Sequence, residues 1–382
     1  MARFVRFCVV VGTRPEIIKM ASVVHELRSR GQDFAFIHTG QHYDSVMSAI
    51  FLRELELPNP ELNLETGSGS QAEQTATALV RLEEAFLRLR PDVVIVEGDT
   101  NTAVAAALAA AKLGIDVGHV EAGVRSYDLR MPEEHNRRLA DHLSAYLFAP
   151  SERAAATLRD ESCWGRVYVT GNTVIDAVVR YGRKAATAGN GLFDALPREF
   201  ALATGHRAEN VDDVRVLREL CEVFARCPLP VVYPIHPRTR KRLQSAGLEA
   251  KLSASGNVTL LPPVGYLEFL RLLTACRFVL TDSGGIQQEV TAPNLQKKVF
   301  VLRETTESTE AVEAGYAEVV GTRADSILGR LERFLSEGWT SPGVYPYGQG
   351  DAGRRIVDIL EKASPGLMLS YSRRRLPTGK RP

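Results

Sequence analysis

The sequence predicts an α/β protein built from two doubly wound parallel-sheet domains. Short apolar runs alternate with helical patterns along the whole chain, the rhythm of βαβ units. The series runs once, passes a stretch containing several glycines, and starts again. The length of 382 residues is large for one hydrophobic core and natural for two.

The first series opens with Phe4 to Val11, followed by a helical pattern over Pro15 to Arg30 and a strand over Phe34 to His38. A helix over Glu73 to Leu89, a strand over Val93 to Val96 and an alanine-rich helix over Thr102 to Leu113 come next. Short strands are expected at Val117 to Val120, Ala145 to Ala149 and Val167 to Val169. The second series places strands at Phe200 to Ala203, Val231 to Ile235, Val258 to Leu261, Phe278 to Leu280 and Val299 to Leu302. The stretch Gly171 to Leu196, with Gly182, Gly189, Asn190 and Gly191, reads as the connector. This gives domains over 1–174 and 175–382. Ligands of such sheets bind outside the carboxyl ends of the strands, so a cleft between the two domains is the expected site.

Hydrophobic content of 45%, charged content of 24% and a formal net charge of +1 are those of an ordinary globular protein. They give no electrostatic case for nucleic acid. The basic residues Arg373 to Arg375, Lys380 and Arg381 read as a solvated tail. No apolar run is long enough for a membrane span and no leader pattern opens the chain, so neither a membrane nor nucleic acid is an expected partner. The five cysteines form no C-x-x-C pair, which fits reduced, buried thiols in a cytoplasmic protein. The G-x-G-x-x-A match at Gly67 to Ala72 follows a poor strand and lacks the context of a dinucleotide fingerprint. No P-loop, H-E-x-x-H or zinc spacing occurs, and neither cofactor nor metal is expected.

The most informative segment is Leu280-Thr281-Asp282-Ser283-Gly284-Gly285-Ile286-Gln287-Gln288-Glu289. It reads as a buried strand, a glycine turn and a helix start. Glycines let the backbone approach a ligand, and free N–H groups at a helix start attract anions. Glu289, about one turn on, can accept from ribose hydroxyls, so the whole describes a nucleoside diphosphate site. In the first series, Thr13 and Glu16 read as a capping box with Pro15 in the first turn. Arg14 falls at the cleft. Lys19 has two readings, a cleft cation or a member of a solvated stripe with Ser22 and Glu26. Asp99 and Glu121 end neighbouring strands, Glu121 before a glycine loop, where paired carboxylates can act as acid and base. Asp99 has the alternative of capping the next helix. Glu133 has the ordinary reading of an acid in a helix first turn. His206 and His236 follow strands at equivalent points of the second sheet.

Together these residues resemble a known family. G-T-R-P-E-I-I-K-M (12–20), T-G-Q-H-Y-D (39–44), G-D-T-N-T (98–102), H-V-E-A-G-V-R-S (119–126) and M-P-E-E-H-N-R-R-L-A-D-H-L (131–143) occur in the first half. T-G-N-T-V-I-D-A (170–177), G-H-R-A-E-N (205–210), L-T-D-S-G-G-I-Q (280–287) and Y-P-Y-G-Q-G-D-A (345–352) complete the set in order. The chain resembles the non-hydrolysing UDP-N-acetylglucosamine 2-epimerases. The resemblance implies two Rossmann-like domains of the GT-B type, with a helix near Arg354 to Leu360 returning to the first. It implies elimination of UDP to 2-acetamidoglucal and re-addition with the C2 proton on the other face, without a nicotinamide. The implied catalytic residues are Lys19, Asp99, Glu121, Glu133 and His206. Arg14, Arg137, His236, Ser283, Gly284, Gly285 and Glu289 are the implied substrate-binding residues. A UDP-sugar is the implied partner, and a homodimer the expected assembly. An activating second site in many bacterial members would involve Gln41 here. The chain departs from the family at Gln288, usually Glu, at the longer segment 290–298, and at Ser308 and Thr309, usually Arg and Pro. A modified UDP-sugar, such as a 2,3-diacetamido uronic acid, is the alternative substrate, and a GT-B glycosyltransferase the alternative class.

Overall fold

The structure, a computed structural model, describes residues 5–40, 51–67, 69–187, 192–362 and 366–367. Gln41 and the rest of its motif, Gly189 to Gly191 and the basic tail lie outside the described residues. The chain divides into two compact units, Met1–Ala177 with Gly350–Pro382, and Val178–Gln349.

The first unit holds a seven-stranded sheet in the order β3-β2-β1-β4-β5-β6-β7. Its strands are β1 (Phe7–Val11), β2 (Phe34–His38), β3 (Leu62–Asn63), β4 (Val93–Glu97), β5 (Asp116–Val120), β6 (Tyr146–Ala149) and β7 (Arg166–Val169). Every pairing in it is parallel. Every residue of β1, β4 and β5 is buried, as helices on both faces of a parallel sheet require. The alanine-rich helix Asn101–Lys112 packs against β1, β4 and β5 as well as the helices Gln71–Leu89 and Pro132–Leu143. Its small side chains permit that crowding. Gly12 shows the same constraint, since a Cβ there would overlap the hydroxyls of Thr39 and Thr102.

The helix Ala352–Glu361 belongs to this unit and packs on the helix Arg14–Ser29. Gly353 lies so close to Ser22 that no Cβ would fit. Asp176 accepts the backbone N–H groups of Ala352 (3.1 Å) and Gly353 (2.8 Å) at the helix start. Burial pushes the Asp176 carboxyl up to about 6, although both N–H groups pull it down. Further along, Arg30 bonds to Asp358 (2.7 Å) and Glu361 (2.9 Å).

The second unit holds a six-stranded sheet in the order β10-β9-β8-β11-β12-β13. Its strands are β8 (Ala201–Thr204), β9 (Val231–Pro234), β10 (Val258–Leu261), β11 (Phe278–Thr281), β12 (Lys298–Val301) and β13 (Ala317–Val319), again all parallel. In both sheets the strand order reverses at one point, between β1 and β4 and between β8 and β11.

The stretch read as a connector is in fact helical over Thr173–Ala185. Val174, Val178, Tyr181 and Ala185 are buried at helical spacing, and that periodicity outweighs one glycine. Gly182 has a packing reason: Asn294 Nδ2 would lie 2.5 Å from a Cβ there. The same amide bonds to the Val178 carbonyl at 3.1 Å, so the unusual 290–298 segment packs on this helix. The expectation of five buried thiols needs correction. Among the described residues all five cysteines are free, but Cys163 and Cys221 are only partly buried. No helix among the described residues is long and apolar enough to cross a membrane.

Candidate active site

The loops after β1 and β4 emerge side by side at the reversal of the first sheet, where α/β proteins bind ligands. Glu16 ties them together. Its Oε2 accepts from the N–H groups of Gly12 (3.1 Å) and Thr13 (2.7 Å), and its Oε1 from the Thr100 hydroxyl (2.8 Å). Burial pushes the Glu16 carboxyl up to about 7 against the pull of those bonds. Thr100, rather than Asp99, caps the alanine-rich helix by accepting from Ala103 N–H.

One turn into the first helix, Lys19 turns inward rather than lying on a solvated stripe. Its Nζ lies 2.8 Å from Glu97 Oε1 and 2.7 Å from Glu121 Oε2. Burial alone would lower this ammonium's pKa, but the two carboxylates outweigh burial and raise it. Glu97, at the end of β4, is 2% exposed. Burial holds its carboxyl well above the usual range; Lys19 opposes the shift, while Glu121 and Glu16 add to it. Glu121 has φ +67°, a left-handed conformation that a non-glycine residue adopts only when its surroundings enforce it. Asn172 Nδ2, in the loop after β7, donates to Glu121 Oε2 at 2.9 Å.

Asp99 does not join this cluster directly. It forms a short ion pair with Arg137, and its backbone carbonyl accepts from Asn136 at 3.0 Å. Glu133 is exposed in the first turn of the helix Pro132–Leu143 and makes no ion pair among the described residues. Its neighbour Glu134 is buried, accepting from Ser126 N–H and hydroxyl (both 2.9 Å) and pairing with Arg137 (3.4 Å) and Arg138 (3.1 Å). Arg14 begins the first helix with its guanidinium 5.3 Å from the Phe51 ring centre. Behind these groups His119 is wholly buried, linking Asp141 (2.7 Å) to the Gly98 carbonyl (2.8 Å).

The second sheet repeats the arrangement at the ends of β8 and β11. Asp282 Oδ2 accepts from the N–H groups of His206 and Arg207 (both 2.9 Å) and from Asn210 Nδ2 (3.2 Å). This fixes the loop that presents His206. The His206 side chain is about half exposed, with Nδ1 3.5 Å from Asp282 Oδ1. Desolvation lowers its pKa, Arg207 and Arg238 lower it further, and Asp282 opposes them. His236 caps the helix Pro237–Ser245, and its ring centre lies 5.7 Å from that of His206. The two histidines after neighbouring strands therefore come together. Ser283, Gly284 and Gly285 follow β11 and open the short helix Gly284–Glu289. Gly284 abuts Glu307 so closely that no side chain would fit. Burial would raise the Glu307 carboxyl, but Arg207 (2.9 Å) and Arg303 (2.7 Å) hold it below the usual range. Glu289 ends that helix, largely buried.

The sequence reading missed Glu97, Asn172, Asp282 and Glu134. Glu134 carried a signal, with arginines three and four residues on, the spacing of helix ion pairs. Asp282 carried one in its place at a strand end.

The family model for UDP-N-acetylglucosamine 2-epimerase matches residues 25–361. A UDP-N-acetylglucosamine 2-epimerase of Methanocaldococcus jannaschii is 42% identical over 93% of this chain and 98% of its own length. A UDP-2,3-diacetamido-2,3-dideoxy-D-glucuronate 2-epimerase of Pseudomonas aeruginosa is 38% identical over 92% of this chain and 98% of its own. The solved structure of a Methanocaldococcus jannaschii UDP-GlcNAc 2-epimerase in complex with UDP-GlcNAc and UDP matches with a TM-score of 0.85 at 41% identity, covering 94% of this chain and 100% of that one. With its motifs, its two parallel sheets and these matches in agreement, the chain belongs to the UDP-N-acetylglucosamine 2-epimerase family.

Proposed function

We propose that this chain interconverts UDP-N-acetylglucosamine and UDP-N-acetylmannosamine by eliminating and re-adding UDP. The observation that carries the reading is the Lys19 ammonium held between Glu97 and the strained Glu121. C2 of the sugar has no neighbouring carbonyl, so its proton is not acidic. Breaking the C1–O bond sends its electron pair to UDP and builds cationic character at C1. That acidifies C2–H, and a carboxylate base can take the proton as the C1=C2 double bond forms. Return of a proton to the opposite face and re-addition of UDP complete the epimerisation.

Asp99, Glu121 and Glu133 serve as the carboxylates for proton transfer and cation stabilisation, with Arg137 orienting Asp99. Lys19 and His206 support the sugar and the leaving group. Arg14, Ser283, Gly284 and Gly285 hold the diphosphate, Glu289 the ribose, and His236 stands beside His206. A homodimer in the cytoplasm completes the proposal, on the family resemblance alone.

The test is incubation with UDP-N-acetylglucosamine in deuterium oxide, followed by proton NMR. UDP-N-acetylmannosamine carrying deuterium at C2 is expected. Product retaining the original hydrogen would overturn the elimination, and absence of product would overturn the reading. The same assay with the diacetamido uronic acid derivative separates the two substrates that the relatives use.

A further inference from the structure

We propose that Glu97 is a positioning residue for this reaction: by contending with Glu121 for the Lys19 ammonium, it sets how far that ammonium serves Glu121 and hence the pH range of turnover. The inference rests on the function proposed above and extends it to a residue outside the family motifs quoted for the site.

Three carboxylates meet near the Lys19 ammonium, and the Arg137 guanidinium, paired with Asp99, is a second positive charge that acts on Glu121. Glu16 and Glu97 are almost fully buried, and Glu121 and Lys19 each keep 14% of their side-chain surface. The donors are unevenly shared. Glu16 accepts from two backbone N–H groups and the Thr100 hydroxyl. Glu121 accepts from Lys19 and Asn172. Glu97 has Lys19 as its one donor among the described residues. An ammonium cannot neutralise two buried carboxylates at once, because each ion must offset its own desolvation. Of the two almost fully buried carboxyls, the proton that relieves the excess goes to the one with fewer donors, which is Glu97. Burial and the neighbouring Glu121 and Glu16 push it the same way. A neutral Glu97 leaves the ammonium to Glu121, and an ionised Glu97 draws it away. The register supports this exchange. Glu97 pairs with Val120 across β4 and β5, so Glu97 and Glu121 end adjacent strands with the ammonium between them.

Two measurements test the proposal. The first is the pH profile of kcat for Glu97→Gln beside the wild type, with KM followed in parallel. The amide imitates the neutral acid permanently. In the wild type residue 97 changes charge along the profile and in the variant it cannot, so the limb set by Glu97 is expected to vanish from the Glu97→Gln profile, with KM unchanged within about twofold. A profile that superimposes on the wild type at any absolute rate would show a merely structural role and overturn the proposal. The second needs no turnover, so it still decides if the enzyme acts on another sugar or the variant folds poorly. Carbon-13 NMR of protein labelled at glutamate carboxyls, with Glu97→Asp identifying the signal, reads Glu97 in the wild type. A Glu97 carboxyl that titrates well above the ordinary glutamate range is expected. One fully ionised by about pH 5 would overturn the proposal.

Discussion

Replacing Glu121 should separate activity from stability. Glu121→Gln keeps the backbone at φ +67° and keeps an oxygen able to accept from Asn172, which is 2.9 Å away. Lys19 loses one carboxylate but retains Glu97 at 2.8 Å, so no buried ammonium is left without a partner. The exchange of one charged bond for a neutral one therefore costs about 1 kcal/mol of stability. Turnover should fall roughly 10²-fold or more, the range for acid–base groups. Glu121→Gly sharpens the comparison. It removes a left-handed strain of about 1–2 kcal/mol, against about 1–3 kcal/mol for the acceptor that buried Asn172 loses. Its stability should stay near the wild type while activity is lost. Urea unfolding and steady-state epimerisation of both variants are the assays. Glu121→Gln with turnover within about fivefold of wild type would refute a chemical role, and a stability loss above about 3 kcal/mol would make the residue a structural one.

Glu133→Gln should lower turnover by about 10²-fold and shift stability by less than about 0.5 kcal/mol, since its side chain is exposed; near-normal activity would leave it only its place in a helix first turn. Asp176→Ala strips two backbone N–H groups of their acceptor and should cost about 2–4 kcal/mol, with faster hydrogen exchange confined to Ala352–Glu361 and the face it covers. Glu16, raised to about 7 from an ordinary 4.5, binds a proton on folding between those values. Its stabilisation is therefore full below about pH 4.5 and lost as pH rises through about 7, an effect on the order of 3 kcal/mol. Glu16→Gln should flatten that part of the stability–pH curve, and an unchanged slope would exclude the buried acid as its source.

Most of the fold was legible because parallel strands buried on both faces write continuous apolar runs. Phe34 to His38 and Val258 to Leu261 match the structure residue for residue. What escaped was short or marginal. Leu62–Asn63 and Ala317–Val319 are edge strands of two and three residues, too short for any period to show. The helix Thr173–Ala185 escaped because its glycine looked like punctuation, although the glycine makes room for Asn294. Asp99, Glu121, His206 and the Ser283 turn could be singled out in the sequence, since each follows closely on a strand. Glu97 ends one too, but its burial is created by Lys19 arriving from another element, and no local pattern records that. That Glu134 is buried and Glu133 exposed is a matter of helical phase, which only the packing of the helix fixes.

The helix Ala352–Glu361 also gives the chain a schedule. During synthesis the first sheet and the Arg14–Ser29 helix leave the ribosome long before the segment that covers them. The Arg30 to Asp358 contact spans 328 residues, so the helix face around Ser22, which Gly353 abuts, stays uncovered while the whole second unit is being made. Closing so long a loop costs little more entropy than closing one half its length, because the penalty grows only with the logarithm. Waiting, rather than entropy, is the hazard, since an uncovered apolar helix face in a nascent chain is open to wrong partners. A stalled or prematurely ended message past the second unit would release a chain whose weakest element is the first one it made.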